Sequence, residues 1–258
     1  MSQSPETSMV YHTVRYASLE RRNVLITGGA SGIGAEMVKA FAAQGSIVSF
    51  IDIDEATGAT TAAATGAEFL VCDVTDIAAL RAAIAKIEDR HGAIAVLVNN
   101  AAKDDRHAMA DVEPEAWRRT LALNLDHQFF ATQAVSPRMI EAKCGSIIMF
   151  GSTSWMRGVP GMVGYTAAKA AINGMTRTLA RELGPSGIRV NCIVPGAIVT
   201  ERQTRLWITP EQSQQFIERQ ALKFRLDGSH VARMALFLGS DESGGCTAAN
   251  FIVDAGVS

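Results

Sequence analysis

A chain of 258 residues that is 48% hydrophobic and 19% charged can build a sizeable core and is unlike a disordered polymer. Its formal charge of −2 offers no basic footprint for nucleic acid or an anionic membrane. No apolar run approaches the roughly 20 residues of a membrane span, and the polar start lacks a signal-peptide core, so a cytoplasmic protein without membrane or nucleic-acid partners is expected.

Cys72, Cys144, Cys192 and Cys246 are far apart and form no C-x-x-C pair, which argues against structural zinc, any other metal site or a disulfide framework. Residues 1–18 read as an N-terminal arm without periodicity. From residue 19 onward, strand-like and helix-like patterns alternate without a linker, which predicts one α/β domain spanning 19–258. Its parallel sheet should carry helices on both faces.

Asn23 to Ile26 is a short apolar run of the kind a buried parallel strand needs. It leads into Thr27-Gly28-Gly29-Ala30-Ser31-Gly32-Ile33-Gly34 and then a helical pattern at Met37, Val38 and Phe41. A strand, a glycine turn and a helix N-terminus in that order make an anion site, because amide groups and the helix dipole face whatever fills it. The second strand, Ser46 to Ile51, ends in Asp52. That carboxylate either accepts hydrogen bonds from the adenosine ribose of NAD, repelling the extra phosphate of NADP, or merely ends a strand or caps the helix near Glu55. Ser31 offers no cation to that phosphate. A third strand, Phe69 to Cys72, precedes Asp73-Val74, placed to meet an adenine edge. A fourth, Ala93 to Val98, ends in Asn99-Asn100-Ala101-Ala102, where small residues let backbone approach a ligand.

The loop Lys103 to His107 is either a solvated tip or a loop whose Asp104 and Arg106 face the cleft. Asn124 interrupts the apolar helix Leu121 to Leu125, as a satisfied core amide or as a link holding water near Lys169. Ser152 follows the fifth strand, Ile147 to Phe150. Tyr165 and Lys169 are four residues apart in an Ala-rich run, which places both on one helical face. A fixed ammonium beside a phenol favours its ionised form and moves it toward a working base. The sixth strand, Gly187 to Val194, is closed by Pro195-Gly196. Residues 199–226 are polar and irregular, as suits a substrate lid. Val231 to Leu238 reads as a helix and Phe251 to Val253 as a seventh strand.

Thr27 to Gly34, Asp73, Asn99-Asn100-Ala101, Asn124, Ser152, Tyr165, Lys169 and Pro195-Gly196 stand in the order of the classical short-chain dehydrogenases/reductases, which the chain resembles from about Leu19 to its end. Ala102 stands where that family usually has Gly. The resemblance implies a Rossmann-like doubly wound fold with a seven-stranded parallel sheet, a homotetramer, and Asn124, Ser152, Tyr165 and Lys169 as catalytic tetrad. It implies NAD contacts at Gly28, Ser31, Gly32, Ile33, Gly34, Asp52, Ile53, Asp73, Val74, Asn99, Ala101, Tyr165, Lys169, Pro195, Gly196 and Ile198.

A narrower resemblance is to bacterial sugar 1-dehydrogenases, carried by Asp104 to His107, Phe150-Gly151-Ser152, Ser154-Trp155, Ala180 to Pro185, Thr200 and Arg202-Gln203. It implies oxidation of an aldose at C1 to a lactone, with Asp104, Arg106, Ser152, Ser154, Tyr165 and Gln203 around the sugar. Lys103 and Met156 depart from the Asn and His of the xylose enzymes. A nucleotide sensor without chemistry would not need the tetrad. Reduction of a 3-oxoacyl or other carbonyl substrate with NADPH is opposed by Asp52 and Ser31, and another alcohol such as a polyol is the remaining alternative.

Overall fold

The computed structural model describes residues 14–200 and 209–258. Seven parallel strands form the main sheet in the order β3-β2-β1-β4-β5-β6-β9. These are β1 (Asn23–Thr27), β2 (Ile47–Asp52), β3 (Glu68–Val71), β4 (Val96–Asn99), β5 (Gly145–Phe150), β6 (Ile188–Pro195) and β9 (Asn250–Val253). The chain winds one way from β1 to β3 and the other way from β4, so the crevice between β1 and β4 opens at their carboxyl ends.

Successive residues of the central strands point to opposite faces and so divide two cores. Val24, Ile26, Val96, Val98 and Ile148 pack with Met37, Val38 and Phe41 of α1 (Gly32–Ala43) and with Val231 and Ala235 of α9 (Gly228–Gly239). Leu25, Leu97, Ile147 and Met149 face Leu80, Ile84 and Ile87 of α3 (Ile77–His91), Val135 and Met139 of α5 (His127–Ala142), and Ile172 and Leu179 of α7 (Val163–Leu183). Both faces are covered, which is why these strands read as continuous apolar runs rather than alternating ones.

Three expectations change. The arm is ordered before Leu19: Ala17–Leu19 form a 3-10 turn, the Tyr16 N–H donates to Gln44 Oε1 at 2.8 Å, and Leu19 is fully buried. Residues 122–126 are not regular α-helix but a π-helical turn between α4 (Pro114–Leu121) and α5. Between residues 199 and 226, which carry too few apolar positions for a clear period, α8 (Pro210–Arg219) forms. The two ends of that segment are tied by a short parallel pair, β7 (Ile198–Val199) with β8 (Leu226–Asp227).

Candidate functional site

The glycine turn after β1 is held from both neighbouring strands. Gly28 N–H donates to Ile51 O at 2.8 Å, Ala101 N–H donates to Thr27 Oγ1 at 3.0 Å, and Asn100 Nδ2 donates to Thr27 O and Gly28 O at 3.0 and 2.9 Å. Asn100 thus binds the turn to β4, a role the sequence reading did not give it. A Cβ on Gly34 would stand 1.8 Å from Gly28 O, and one on Gly28, at φ +67°, would stand 2.8 Å from Ala101 Cα. Only glycine permits this approach. Ser31 is the N-cap of α1 but makes no side-chain capping bond, so it leaves the first-turn amides of Gly32, Ile33 and Gly34 unengaged by its hydroxyl.

Asp52 is fixed on this turn, its Oδ2 accepting from Ala30 N–H at 3.0 Å and its Oδ1 from Asp54 N–H at 3.1 Å. The helix-cap alternative fails for it, because Asp54 caps α2 (Glu55–Thr65) by accepting from Thr57 N–H. Ile53 beside it is 67% exposed, an apolar surface at the rim. Asp73 accepts from the amide and hydroxyl of Thr75 and is exposed, while Val74 is buried. The Asn99 amide donates inward to Gln128 O and Thr132 Oγ1, both at 3.3 Å, which leaves its main chain to border the crevice. Gly196 passes under Asp254, where a Cβ would meet Asp254 Cβ at 2.6 Å, and Pro195 O accepts from Thr153 N–H at 3.1 Å. Ile198 is buried in the β7–β8 pair, away from an open surface. A glycine cradle, the first-turn amides of α1 and a carboxylate at the end of β2 are groups that could hold a dinucleotide.

Ser152, Tyr165 and Lys169 come together at the carboxyl end of β5. Lys169 is buried, with Nζ donating to Phe150 O at 2.8 Å and standing 5.7 Å from the centre of the Tyr165 ring. The four-residue spacing does place both on one face. Burial pushes the Tyr165 phenol up to about 12, against the opposing hydrogen bond of Ser152, and the Asp104 carboxylate adds to the rise while Arg106 opposes it. Burial outweighs any lowering by the neighbouring ammonium. The ammonium lies over the ring and is bonded to a carbonyl, and its own pKa falls to about 8 through desolvation. Ser152 Oγ also accepts from Ser154 N–H at 3.1 Å.

Asn124 is a satisfied amide in the π-helical turn. Its Oδ1 accepts from Lys103 N–H at 3.0 Å, and its Nδ2 donates to Lys103 O at 3.2 Å and Thr120 O at 3.0 Å. It positions the loop after β4. That loop alternates: Lys103 pairs with Asp105 at 2.9 Å, while Asp104 and Arg106 line a cavity of about 490 Å³. Ser152, Ser154 and Tyr165 line the same cavity, with Arg157 of α6 (Ser154–Arg157) and Gln215, Phe216 and Arg219 of α8. The buried Ser154 hydroxyl has no protein partner among the described residues. Gln203 lies outside them.

Two buried groups of α5 were not anticipated. β4 stops at Asn99, opposite Met149, so Phe150 has no strand partner on that side. The Gln128 amide replaces it: Oε1 accepts from Phe150 N–H and Nε2 donates to Phe150 O, both at 3.2 Å. The same carbonyl holds Lys169. Gln128 and Thr132, polar residues four apart on an otherwise core-facing stripe, were the readable signal.

His127 is fully buried, and burial, then the charge of Lys169, push its imidazole down to about 3. A base whose folded pKa lies below its unfolded value, about 6.5, stabilises the fold fully above that value. The contribution is lost as pH falls toward about 3. Stability should therefore drop by about 1.4 kcal/mol per pH unit below about 6.5 from this group. Denaturant unfolding at pH 7, 6 and 5 should show a shallower fall in His127→Gln. Parallel falls in both proteins would mean that His127 is not the group responsible.

This arrangement has known counterparts. Residues 28–258 match the family model described as Enoyl-(Acyl carrier protein) reductase, and the chain belongs to the short-chain dehydrogenase/reductase family of oxidoreductases. It is 46% identical to D-xylose 1-dehydrogenase of Caulobacter vibrioides, over 93% of this chain and 97% of that one. It is 44% identical to the probable galactose dehydrogenase GalD of Rhizobium meliloti, over 96% and 100%. The structure superposes on 3-oxoacyl-[acyl-carrier protein] reductase of Brucella melitensis with a TM-score of 0.88 at 32% identity, covering 100% and 98% of the two chains.

Proposed function

We propose that the protein oxidises an aldose at C1 to a lactone, using NAD. The observation that carries the reading is the placement of Ser152 and Tyr165, with Lys169 buried behind the tyrosine ring, on a cavity that also presents Asp104, Arg106, Ser154 and Gln215 among apolar residues. The sugar-dehydrogenase relatives support it. A nicotinamide held at the crevice supplies the hydride acceptor. Tyr165 takes the proton of the sugar hydroxyl, Ser152 hydrogen-bonds the same oxygen, and Lys169 holds a positive charge beneath the phenol as that proton moves. Asp104, Arg106 and Ser154 take hydroxyls along the ring, and a site built to pair hydroxyls rejects substrates that lack them. A screen of aldoses, polyols and simple secondary alcohols for NADH formation tests the reading. Turnover of a secondary alcohol but of no aldose would overturn it.

NAD should exceed NADP in efficiency by about one to two orders of magnitude, since the fixed Asp52 carboxylate would face the added phosphate at a cost of about 2 kcal/mol. Asp52→Ala should narrow the ratio, and kinetics with both cofactors at saturating sugar measure it. Equal efficiencies in the wild type would place the ribose away from Asp52. A homotetramer is part of the same reading. Leu222, Phe224 and Ile252, exposed around a second, largely apolar groove, support self-association, which light scattering tests.

A further inference from the structure

The charges around the cavity are unequal. Among the described residues three guanidinium groups line it, those of Arg106, Arg157 and Arg219, against the one carboxylate of Asp104. A pocket shaped only for neutral hydroxyls has no need of this excess. Hydroxyls are served as well by amides and by the alternating donors and acceptors of serine and asparagine, at less desolvation.

The arginines also divide by position. Arg106 acts electrostatically on the Tyr165 phenol, together with Asp104, and so belongs to the reacting end. Arg157 and Arg219 line the cavity from α6 and α8. Arg157 lies over the ring of Phe216, 5.8 Å from its centre, and Arg225 stands 5.4 Å from the same centre. A guanidinium held near an aromatic face keeps N–H groups with which to pair an oxyanion, and arginine suits such two-point recognition. Among the described residues no carboxylate is paired with Arg157 or Arg219. Arg225 differs, since it is occupied by a hydrogen bond to Ser213 Oγ at 2.6 Å.

We propose that the cavity selects an aldose bearing an oxyanion, a carboxylate or a phosphate, on the end remote from C1, and that Arg157 and Arg219 bind it. This rests on the reading of the site as sugar-oxidising and narrows its substrate class. The test compares kcat/KM for D-galacturonate, D-glucuronate and D-glucose 6-phosphate with that for D-galactose, D-glucose and D-xylose, in the wild type, Arg157→Met and Arg219→Met. Thermal shifts with each sugar in the absence of cofactor give a second readout. At least one anionic sugar should exceed every neutral one by about tenfold or more, the scale of a hydrogen bond to a charged group. Whether the uronates or the phosphate lead identifies the oxyanion. Each variant should raise KM for the anionic sugar by about tenfold, reduce its preference over the neutral sugars and abolish its thermal shift. Arg219 is exposed, so Arg219→Met keeps the test valid if loss of the Arg157 stacking disturbs folding.

Neutral aldoses used as well as or better than the anionic ones would overturn the oxyanion site and leave the sugar reading standing. If no sugar of either kind gives NADH, the sugar reading fails and the oxyanion site falls with it.

Discussion

Tyr165→Phe should lose between about a hundredfold and ten-thousandfold in turnover, the range that a positioned acid or base contributes. Cofactor affinity should change little, because the ring that packs against Lys169 remains. The removed atom is the hydroxyl that Ser152 hydrogen-bonds and on which Asp104 and Arg106 act in opposite directions. Burial pushes the pKa of that phenol up to about 12. Its depressed neighbour, Lys169, keeps its charge only below about 8. Oxidation by the wild type should therefore be faster at mildly alkaline than at acidic pH. Steady-state kinetics of both proteins, with NADH fluorescence as the binding measurement, decide the matter. A phenylalanine variant that turns over at the wild-type rate would remove Tyr165 from the chemistry altogether.

The second large effect is structural. Gly34→Ala places a methyl group 1.8 Å from Gly28 O, inside covalent-scale distance of backbone that two strands hold in place. The neighbour cannot turn aside as a flexible side chain would, so the glycine turn must move. A loss on the order of 3 kcal/mol is expected, with dinucleotide binding lost as well. Gly174→Ala is the matched control: exposed in α7 with nothing within 4 Å of its Cβ, it should gain up to about 1 kcal/mol. Thermal melts with and without NAD measure both. Unchanged melting and binding in Gly34→Ala would show that the turn has slack the close approach denies.

The parts legible from the sequence were those written in local patterns. Apolar runs of four to six residues gave the buried strands, the glycine turn gave the crevice, and the spacing of Tyr165 and Lys169 gave their shared face. Groups whose role depends on distant backbone were not legible. Asn99 and Asn100 are adjacent in the sequence, yet one turns into the core and the other stitches the glycine turn, because their side chains leave the strand on opposite sides. Gln128 acquires its role only because β4 ends one residue short of β5. Lys169 was expected to lower the phenol's pKa by its charge and to hold the nicotinamide ribose. The competing carbonyl of Phe150 and the desolvation of both groups were invisible until the helix was placed against the strand. Two of the cavity's three arginines among the described residues were missed for a similar reason: Arg157 and Arg219 are 62 positions apart, and only the packing of α6 near α8 lets them line one cavity.

The Gln128 amide makes the reacting groups a consequence of folding rather than of binding. Phe150 O accepts from Gln128 and from Lys169, and its residue is pinned at the amide as well, two positions before Ser152. Shifting Phe150 would disturb both of its flanking peptides and all three of these buried hydrogen bonds. The ammonium and the serine loop therefore share one mount, and under the proposed function little reorganisation would be left to accompany the movement of charge when a hydroxyl gives up its proton.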